Sequence, residues 1–335
     1  MSEIKGISYY LPIEVVTNEK LADIFPEWSV QKIADKVGIK NRYVVDNEQC
    51  ASDLAFEAAT KLFNEFTITP ESIDFLLLCT QSPDYFLPTT ACLLQDRLGI
   101  PTTAGALDFN LGCSGFIYGL SLANSLIKSG EAKNVLLITA ETYSKFIDDR
   151  DKGNRTIFGD AAAACLVVAS EKDKISSFVY GTDGRGGKNL IVKYGGMRNR
   201  NAAEAEEDCL DEESGLLHRK GTLEMKGAEI FNFTIKVVPS TANAILEKAG
   251  LAIEDITLFV FHQANRYILE HLRKKMGIPE EKFYYYMEDC GNTVSSTIPI
   301  ALYHAIKEKN LNSGDKIMLL GFGVGYSWGG CILTV

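Results

Sequence analysis

The chain states its folding pattern twice, and this constrains it more than any other feature. The stretch "ITPESIDFLLLC" (68–79) returns as "LAIEDITLFVFH" (251–262), 183 positions further on. Likewise "SGEAKNVLLITAE" (129–141) returns as "SGDKIMLLGFG" (313–323), with Gly130 matched by Gly314, 184 positions further on. A repeat of this length is a duplicated domain half, because solenoid repeats run to only about 20–50 residues. The apolar runs "IDFLLLC", "NVLLITA", "AAAACLVVA", "ITLFVFH", "KIMLLGFG" and "GCILTV" carry no polar alternation. Strands of that kind are buried on both faces, so helices must cover both sides of the sheet. "SDLAFEAATKLFNEF" (52–66), "VPSTANAILEKAGL" (238–251) and "RYILEHLRKKMG" (266–277) have the spacing, caps and terminal glycines of such helices. The expectation is an α/β fold of two similar halves, residues 1–170 and 227–335, facing each other. Pockets in such folds form at the carboxyl ends of strands.

Residues 171–226 break the rhythm. "GTDGRGGKN" and the acidic "NAAEAEEDCLDEESG" hold few large apolar residues, so the segment is predicted to be a connecting surface excursion. Its glycine-rich piece lacks the Gly-Lys-Ser/Thr of a phosphate loop and reads as turns.

The totals exclude several function classes. The 34 basic residues are outnumbered by 44 acidic ones, a net charge of −10, which argues against a general nucleic-acid surface. The longest apolar run, Ala161 to Ala169, is far short of the roughly 20 residues that a membrane helix needs. Glu3, Lys5, Pro12 and Glu14 fall in the window that a signal peptide keeps apolar. A cytoplasmic protein without membrane or nucleic-acid partners is expected. The eight cysteines form no C-x-x-C pair and the four histidines are scattered, so neither a zinc site nor a disulfide framework is expected.

Four stations carry chemistry. Cys113 stands in "GCSG" where an apolar strand runs into the helical "SGFIYGLSLANSLIKSG". It reads either as a packed core thiol or as a nucleophile, whose pKa a helix starting at Cys113 would lower from about 8.5 toward neutrality. His262 ends a buried strand in "FVFHQANRYI", as a satisfied strand-end residue or as a neutral imidazole on a pocket floor. Asn292 in "CGNTVSSTIP" is a Gly-Asn turn or an amide donor. An amide and an imidazole aimed at one oxygen would form an oxyanion-type site. "GFGVGYSWGG" (321–330) is a tight turn or a row of backbone N–H groups offered to a second oxyanion.

Together, "GCSGF", "FGDAAAA", "HQAN", "GNT" and "GFGVGYSWG" on a duplicated chain resemble the thiolase superfamily. More closely they resemble its β-ketoacyl-acyl carrier protein synthase III family, along nearly the whole length. The resemblance implies an internally duplicated thiolase-like fold layered α-β-α-β-α, usually a homodimer. It implies a Cys113–His262–Asn292 triad and oxyanion amides from Cys113 and the loop carrying Gly323 and Val324. The reaction implied is acyl transfer from an acyl-coenzyme A, or an acyl carrier, to Cys113. Decarboxylative Claisen condensation with malonyl-acyl carrier protein follows, with coenzyme A thioester as substrate and no tightly bound cofactor or metal.

By the same resemblance, Trp28 stacks on the adenine of coenzyme A, Lys152 takes the place of a coenzyme-binding arginine, and Gly227 and Asn265 contact the pantetheine arm. Phe322 shields the cysteine, and Leu87 lies on a loop lent to the partner subunit's acyl pocket. Arg266, Arg273 and Lys274 offer a basic helix face for an acidic carrier protein. The chain departs from the pattern where Lys32 and Lys152 replace arginines, Tyr267 replaces a third, and Val324 interrupts a glycine run. The alternative reading is a same-fold acyltransferase of a specialised, secondary-metabolite or alkylquinolone-like pathway, passing the acyl group to oxygen or nitrogen. A non-catalytic partner subunit is disfavoured by the intact triad.

Overall fold

The computed structural model describes residues 1–210, 215 and 217–335. Two sheets share one topology. In the first, the strands run in the order Ser2–Tyr10, Ala161–Ala169, Asn134–Glu141, Phe75–Cys79, Gly105–Phe109. In the second, the order is Ile175–Thr182, Ser327–Thr334, Lys316–Gly323, Leu258–Phe261. Strand senses match as well: two antiparallel pairings and then a parallel one in each sheet. The counterpart of the first sheet's edge strand is reduced to a single parallel bridge, Phe259 with Phe283.

Alternation along the strands sorts the apolar residues between layers. Leu76, Leu78, Leu136 and Ile138 face outward onto Ala51–Phe66 and Thr90–Arg97. Leu77, Val135 and Leu137 face inward onto two central helices, Gly115–Ser129 and Thr297–Glu308. Those helices bury their other side against Val260, Ile317, Leu319 and Cys331 of the second sheet. The far side of that sheet, with Phe259, Phe261, Met318 and Leu320, is covered by Gly227–Ala249 and Arg266–Lys275. The layering is helix, sheet, helix, sheet, helix. This is why the inner strands Phe75–Cys79, Ala161–Ala169 and Leu258–Phe261 read as uninterrupted apolar sequence.

Three boundaries differ from the sequence reading. Ile175–Thr182, inside the segment expected to connect the halves, is a strand of the second sheet, where Gly330 pairs with Val179. Leu21, Ile33 and Val37, from the first half, pack in the second half's outer core with Phe261 and Leu269. The excursion also returns inward. Leu190–Val192 pairs with Leu223–Met225, and this ribbon buries Leu190 and Leu223 beside Cys113. A three-residue register is too short a signal to stand out in a polar stretch. Residues 211–214 and 216 of the acidic run lie outside the described residues.

Leu120 is fully buried in the central layer, whereas Ile306 is 47% exposed. Leu120→Ala is expected to cost about 2–5 kcal/mol and Ile306→Ala less than about 1 kcal/mol. Chemical denaturation at one pH measures both.

Candidate active site

The strand Gly105–Phe109 leads into a tight turn at Gly112, where the Gly115 N–H donates to the Gly112 carbonyl at 2.7 Å. That turn delays the helix to Gly115, two residues beyond Cys113. The expectation that Cys113 itself opens the helix is therefore corrected. Glycine is required at 115 by packing, since a Cβ there would lie 2.2 Å from Cys79 Sγ. The strand Lys316–Gly323 closes over the same turn. A Cβ on Gly321 would sit 2.6 Å from the Cys113 carbonyl oxygen, and one on Gly323 would sit 2.8 Å from Cys113 Sγ. At 321 no other residue type admits this approach without displacement of the Cys113 backbone, and at 323 none without displacement of its side chain.

Cys113 is 5% exposed, with Tyr143, Phe158, Val294, Leu190 and Leu223 around it. Burial first, and the nearby Glu141 second, push its thiol up to about 12, against the pull of the Cys113 and Val324 backbone amides. The expected drop toward neutrality is thus overturned for the resting protein. Desolvation outweighs the helix start, which lies two residues further on. The two amides that favour charge at the sulfur are nevertheless the pair of sites anticipated for oxyanion binding.

His262 follows the strand Leu258–Phe261 and stays in register, its N–H donating to the Leu320 carbonyl at 2.8 Å. It is 2% exposed, and burial takes its pKa down to about 3, so the ring is neutral. Phe322 meets it edge-on with centroids 5.3 Å apart, and Nδ1 lies 2.7 Å from Thr297 Oγ1. Phe322 sits between Gly321 and Gly323, so one strand end touches both the cysteine and the histidine.

Asn292 is fixed by its backbone. Its N–H donates to the Ile157 carbonyl at 2.9 Å, and its carbonyl accepts from Gly159 N–H at 3.1 Å. Its Oδ1 accepts from Val294 N–H at 2.9 Å, which leaves the amide NH2 as the free end. Behind it, the buried Arg42 guanidinium donates to the Thr156 carbonyl from Nε at 3.0 Å and from a terminal nitrogen at 2.5 Å. Arg42 thereby braces the segment that holds Asn292.

Sequence reasoning missed Glu141. It ends the strand Asn134–Glu141 fully buried, accepting from Ser295 Oγ at 2.8 Å and from Gln81 N–H at 3.1 Å. Burial raises its pKa to about 8 against those donors, so it is largely uncharged at neutral pH. The signal was available, since one acid closes an otherwise apolar run just as His262 does. A cavity of about 880 Å³ runs from Val324 past Tyr143 and Phe146 to Leu190 and Leu223.

The C-terminal 3-oxoacyl-[acyl-carrier-protein] synthase III model matches residues 246–335, and the companion synthase III model matches 107–184. A β-ketoacyl-[acyl-carrier-protein] synthase III of Clostridium perfringens (strain SM101, type A) is 40% identical over 335 residues, covering 100% of this chain and 99% of the relative. The chain belongs to the β-ketoacyl-acyl carrier protein synthase III family. A crystal structure of a 3-oxoacyl-(acyl-carrier-protein) synthase III superimposes with a TM-score of 0.97 at 50% identity, covering 100% of this chain and 99% of the other. The enzyme of Aquifex aeolicus VF5 gives 0.86 at 34% identity, covering 100% of both. The protein is accordingly a thiolase-fold condensing enzyme, an acyltransferase. This disfavours the alternative of simple transfer to oxygen or nitrogen.

The remaining expected residues of this synthase fall in several places. Trp28 is 8% exposed, and its ring is ringed by the ammonium groups of Lys36, Lys32 and Lys152 at 4.4, 5.4 and 5.8 Å. Lys152 is also paired with Glu27 at 2.8 Å. Gly227 opens its helix with open space over it, and Asn265 caps the next helix by accepting from Ile268 N–H at 2.9 Å. Leu87 is 83% exposed at the tip of an apolar run with Tyr85 and Phe86. On the basic helix, Arg266 stacks on Tyr285 at 3.8 Å and Lys274 stands out in solvent. Arg273 is drawn in, bound to Glu270 at 2.9 Å and to the Ile278 carbonyl at 3.2 Å, so it is a strut and not a free cation.

Glu141 supplies a prediction with a definite sign. Its carboxyl keeps a proton to about pH 8 when folded but ionises near 4.5 when unfolded, so stability falls as pH rises between those values. The slope is up to about 1.4 kcal/mol per pH unit. Glu141→Gln is expected to remove one proton's share of that fall. Denaturant midpoints across this range would show an unchanged slope if the carboxyl were ionised throughout.

Proposed function

We propose that this synthase runs its condensation through Cys113, His262 and Asn292. Cys113 attacks the carbonyl of an acyl-coenzyme A or acyl-carrier thioester, and the donor thiol leaves with the proton that the cysteine gives up. The negative oxygen of that intermediate is held by the amides of Cys113 and Val324, with the strand end at Gly323 closing the back of the site. The observation carrying this reading is that the Cys113 and Val324 backbone amides favour charge on a sulfur packed against Tyr143, Leu190 and Leu223, which with Val324 line the adjoining cavity. Splitting the reaction through an acyl-cysteine replaces one hard acyl transfer with two easier ones.

In the second half, malonyl on acyl carrier protein loses carbon dioxide and its electron pair moves onto the thioester oxygen as an enolate. His262 and the NH2 of Asn292 donate to that oxygen, and the enolate carbon attacks the acyl-Cys113 carbonyl. The carbon–sulfur bond then breaks, releasing the 3-oxoacyl product and a Cys113 thiolate that takes up a proton from solvent. The condensed product belongs to fatty acid biosynthesis. Coenzyme A enters along Trp28, where Lys32 and Lys152, in place of arginines, would hold phosphates as point charges and not as bidentate forks. Once inside, the pantetheine arm passes Gly227, Asn265 and Phe322. Arg266 and Lys274 offer the carrier protein a docking face, with Glu270 among them reducing its net charge. A second copy of the chain would cover Tyr85, Phe86 and Leu87 and complete the acyl pocket.

Intact-protein mass spectrometry with a panel of acyl-coenzyme A and acyl-carrier thioesters tests the first step. A mass gain of one acyl group is expected, and it should vanish in Cys113→Ala; an adduct surviving there refutes the nucleophile. Carbon dioxide release from malonyl carrier protein tests the second. Asn292→Ala is expected to lower it by about 10²-fold, and an unchanged rate removes Asn292 from enolate stabilisation.

A further inference from the structure

A neutral imidazole has one N–H and one bare nitrogen, and its chemistry depends on which is which. For His262 to donate to an enolate oxygen while uncharged, the hydrogen must sit on Nε2, and Nδ1 must then receive a hydrogen bond from something that can donate. Backbone carbonyls and carboxylates cannot, since they only accept, and they fix the opposite form. The group the structure provides at Nδ1 is a hydroxyl, Thr297 Oγ1 at 2.7 Å. The hydroxyl has one hydrogen and can also donate it to the Val294 carbonyl at 3.0 Å, so the nearer ring nitrogen competes with that longer contact for it. Thr297 is 2% exposed and is the first residue of the central helix Thr297–Glu308. Two consecutive hydroxyls before it are also committed across the molecule, Ser295 to Glu141 at 2.8 Å and Ser296 to Thr139 at 2.8 Å. The turn that presents Thr297 is thereby pinned to the first half, and its side chain has little freedom to move away from the ring.

We propose that Thr297 is the positioning residue that donates to His262 Nδ1, placing the ring's only hydrogen on Nε2 as a neutral donor toward the enolate. This rests on the enolate role given above to His262. During decarboxylation the carbon–carbon bond breaks, its electron pair enters the enolate, and carbon dioxide departs. The Nε2 hydrogen is shared with the enolate oxygen and not transferred, so ring and hydroxyl end the step as they began. No cationic imidazole is needed, which suits a site that excludes charge. Because the acylation of Cys113 does not call on this hydrogen, Thr297 should matter to one half-reaction only.

The test uses the full-length enzyme with Thr297→Val, which keeps the shape and removes the hydroxyl, and Thr297→Ser, which restores it. Thr297→Val is expected to lower malonyl decarboxylation by about 10–10²-fold, the range for one lost donor group. Cys113 acylation, read by mass spectrometry, should stay within about 3-fold, and Thr297→Ser should recover most of the loss. The residual activity of Thr297→Val should shift toward acid pH, where a protonated ring again carries hydrogen on Nε2. Nitrogen-15 spectra of histidine-labelled enzyme should show His262 Nδ1 unprotonated in the wild type and protonated in Thr297→Val. A wild-type spectrum with the proton on Nδ1, or a Thr297→Val enzyme with normal decarboxylation and pH profile, overturns the proposal. His262→Ala separates the two levels: if it decarboxylates normally, the role given to His262 fails; if it does not and Thr297→Val is normal, only the tautomer assignment falls.

Discussion

The whole site depends on one contact, where the end of the strand Lys316–Gly323 lies directly on the Cys113 turn. Gly321 and Gly323 meet the Cys113 backbone and sulfur at distances that leave no space for a side chain. Between them Phe322 turns the other way, onto His262. A single strand end therefore sets the spacing between the cysteine of one half and the histidine of the other, and the Val324 amide follows from the same segment. Close packing transmits such a constraint rigidly, because neither a void nor a flexible side chain lies between the partners.

The two halves contribute unlike residues from strand ends and helix starts. Each half sends a strand end and a central-helix start toward the crevice. In the first half these give Glu141 and Cys113; in the second they give His262 and the Asn292–Thr297 turn. The residue matching His262 in the repeat is Cys79, a buried thiol donating to the Leu111 carbonyl at 3.0 Å. The scaffold is thus symmetric in backbone and asymmetric in chemistry. The serine and threonine run at 295–297 stitches the two together, through Glu141, Thr139 and His262 in turn.

Much of this was legible in the sequence, for physical reasons. Continuous apolar strands and a repeat near 183 residues carry the layered, duplicated architecture, because double-sided burial leaves no freedom for polar residues. Cys113, His262 and Asn292 stood out since each interrupts an apolar strand or a helix start with a small or polar residue. What stayed hidden depends on distance in three dimensions. The thiol's upward shift comes from burial and from Glu141, 28 positions along the chain, and no spacing rule links the two. Arg273 reads as a surface cation on its helix, yet Glu270 and the Ile278 carbonyl hold it in. Residues 190–192 and 223–225 become a ribbon only because they pair across some thirty residues of polar chain.

That ribbon divides the labour of the molecule. Cys113 and His262 are locked between two sheets and cannot shift without disturbing both cores, while one wall of the cavity beside Cys113 is a short two-stranded ribbon. Replacing Leu190 or Leu223 by bulkier or smaller residues would change the cavity beside Cys113 without cutting into either large sheet. The fold in this way sets an exchangeable wall beside a fixed frame. The cavity's dimensions can drift through a ribbon on which the pairing of the two large sheets does not depend.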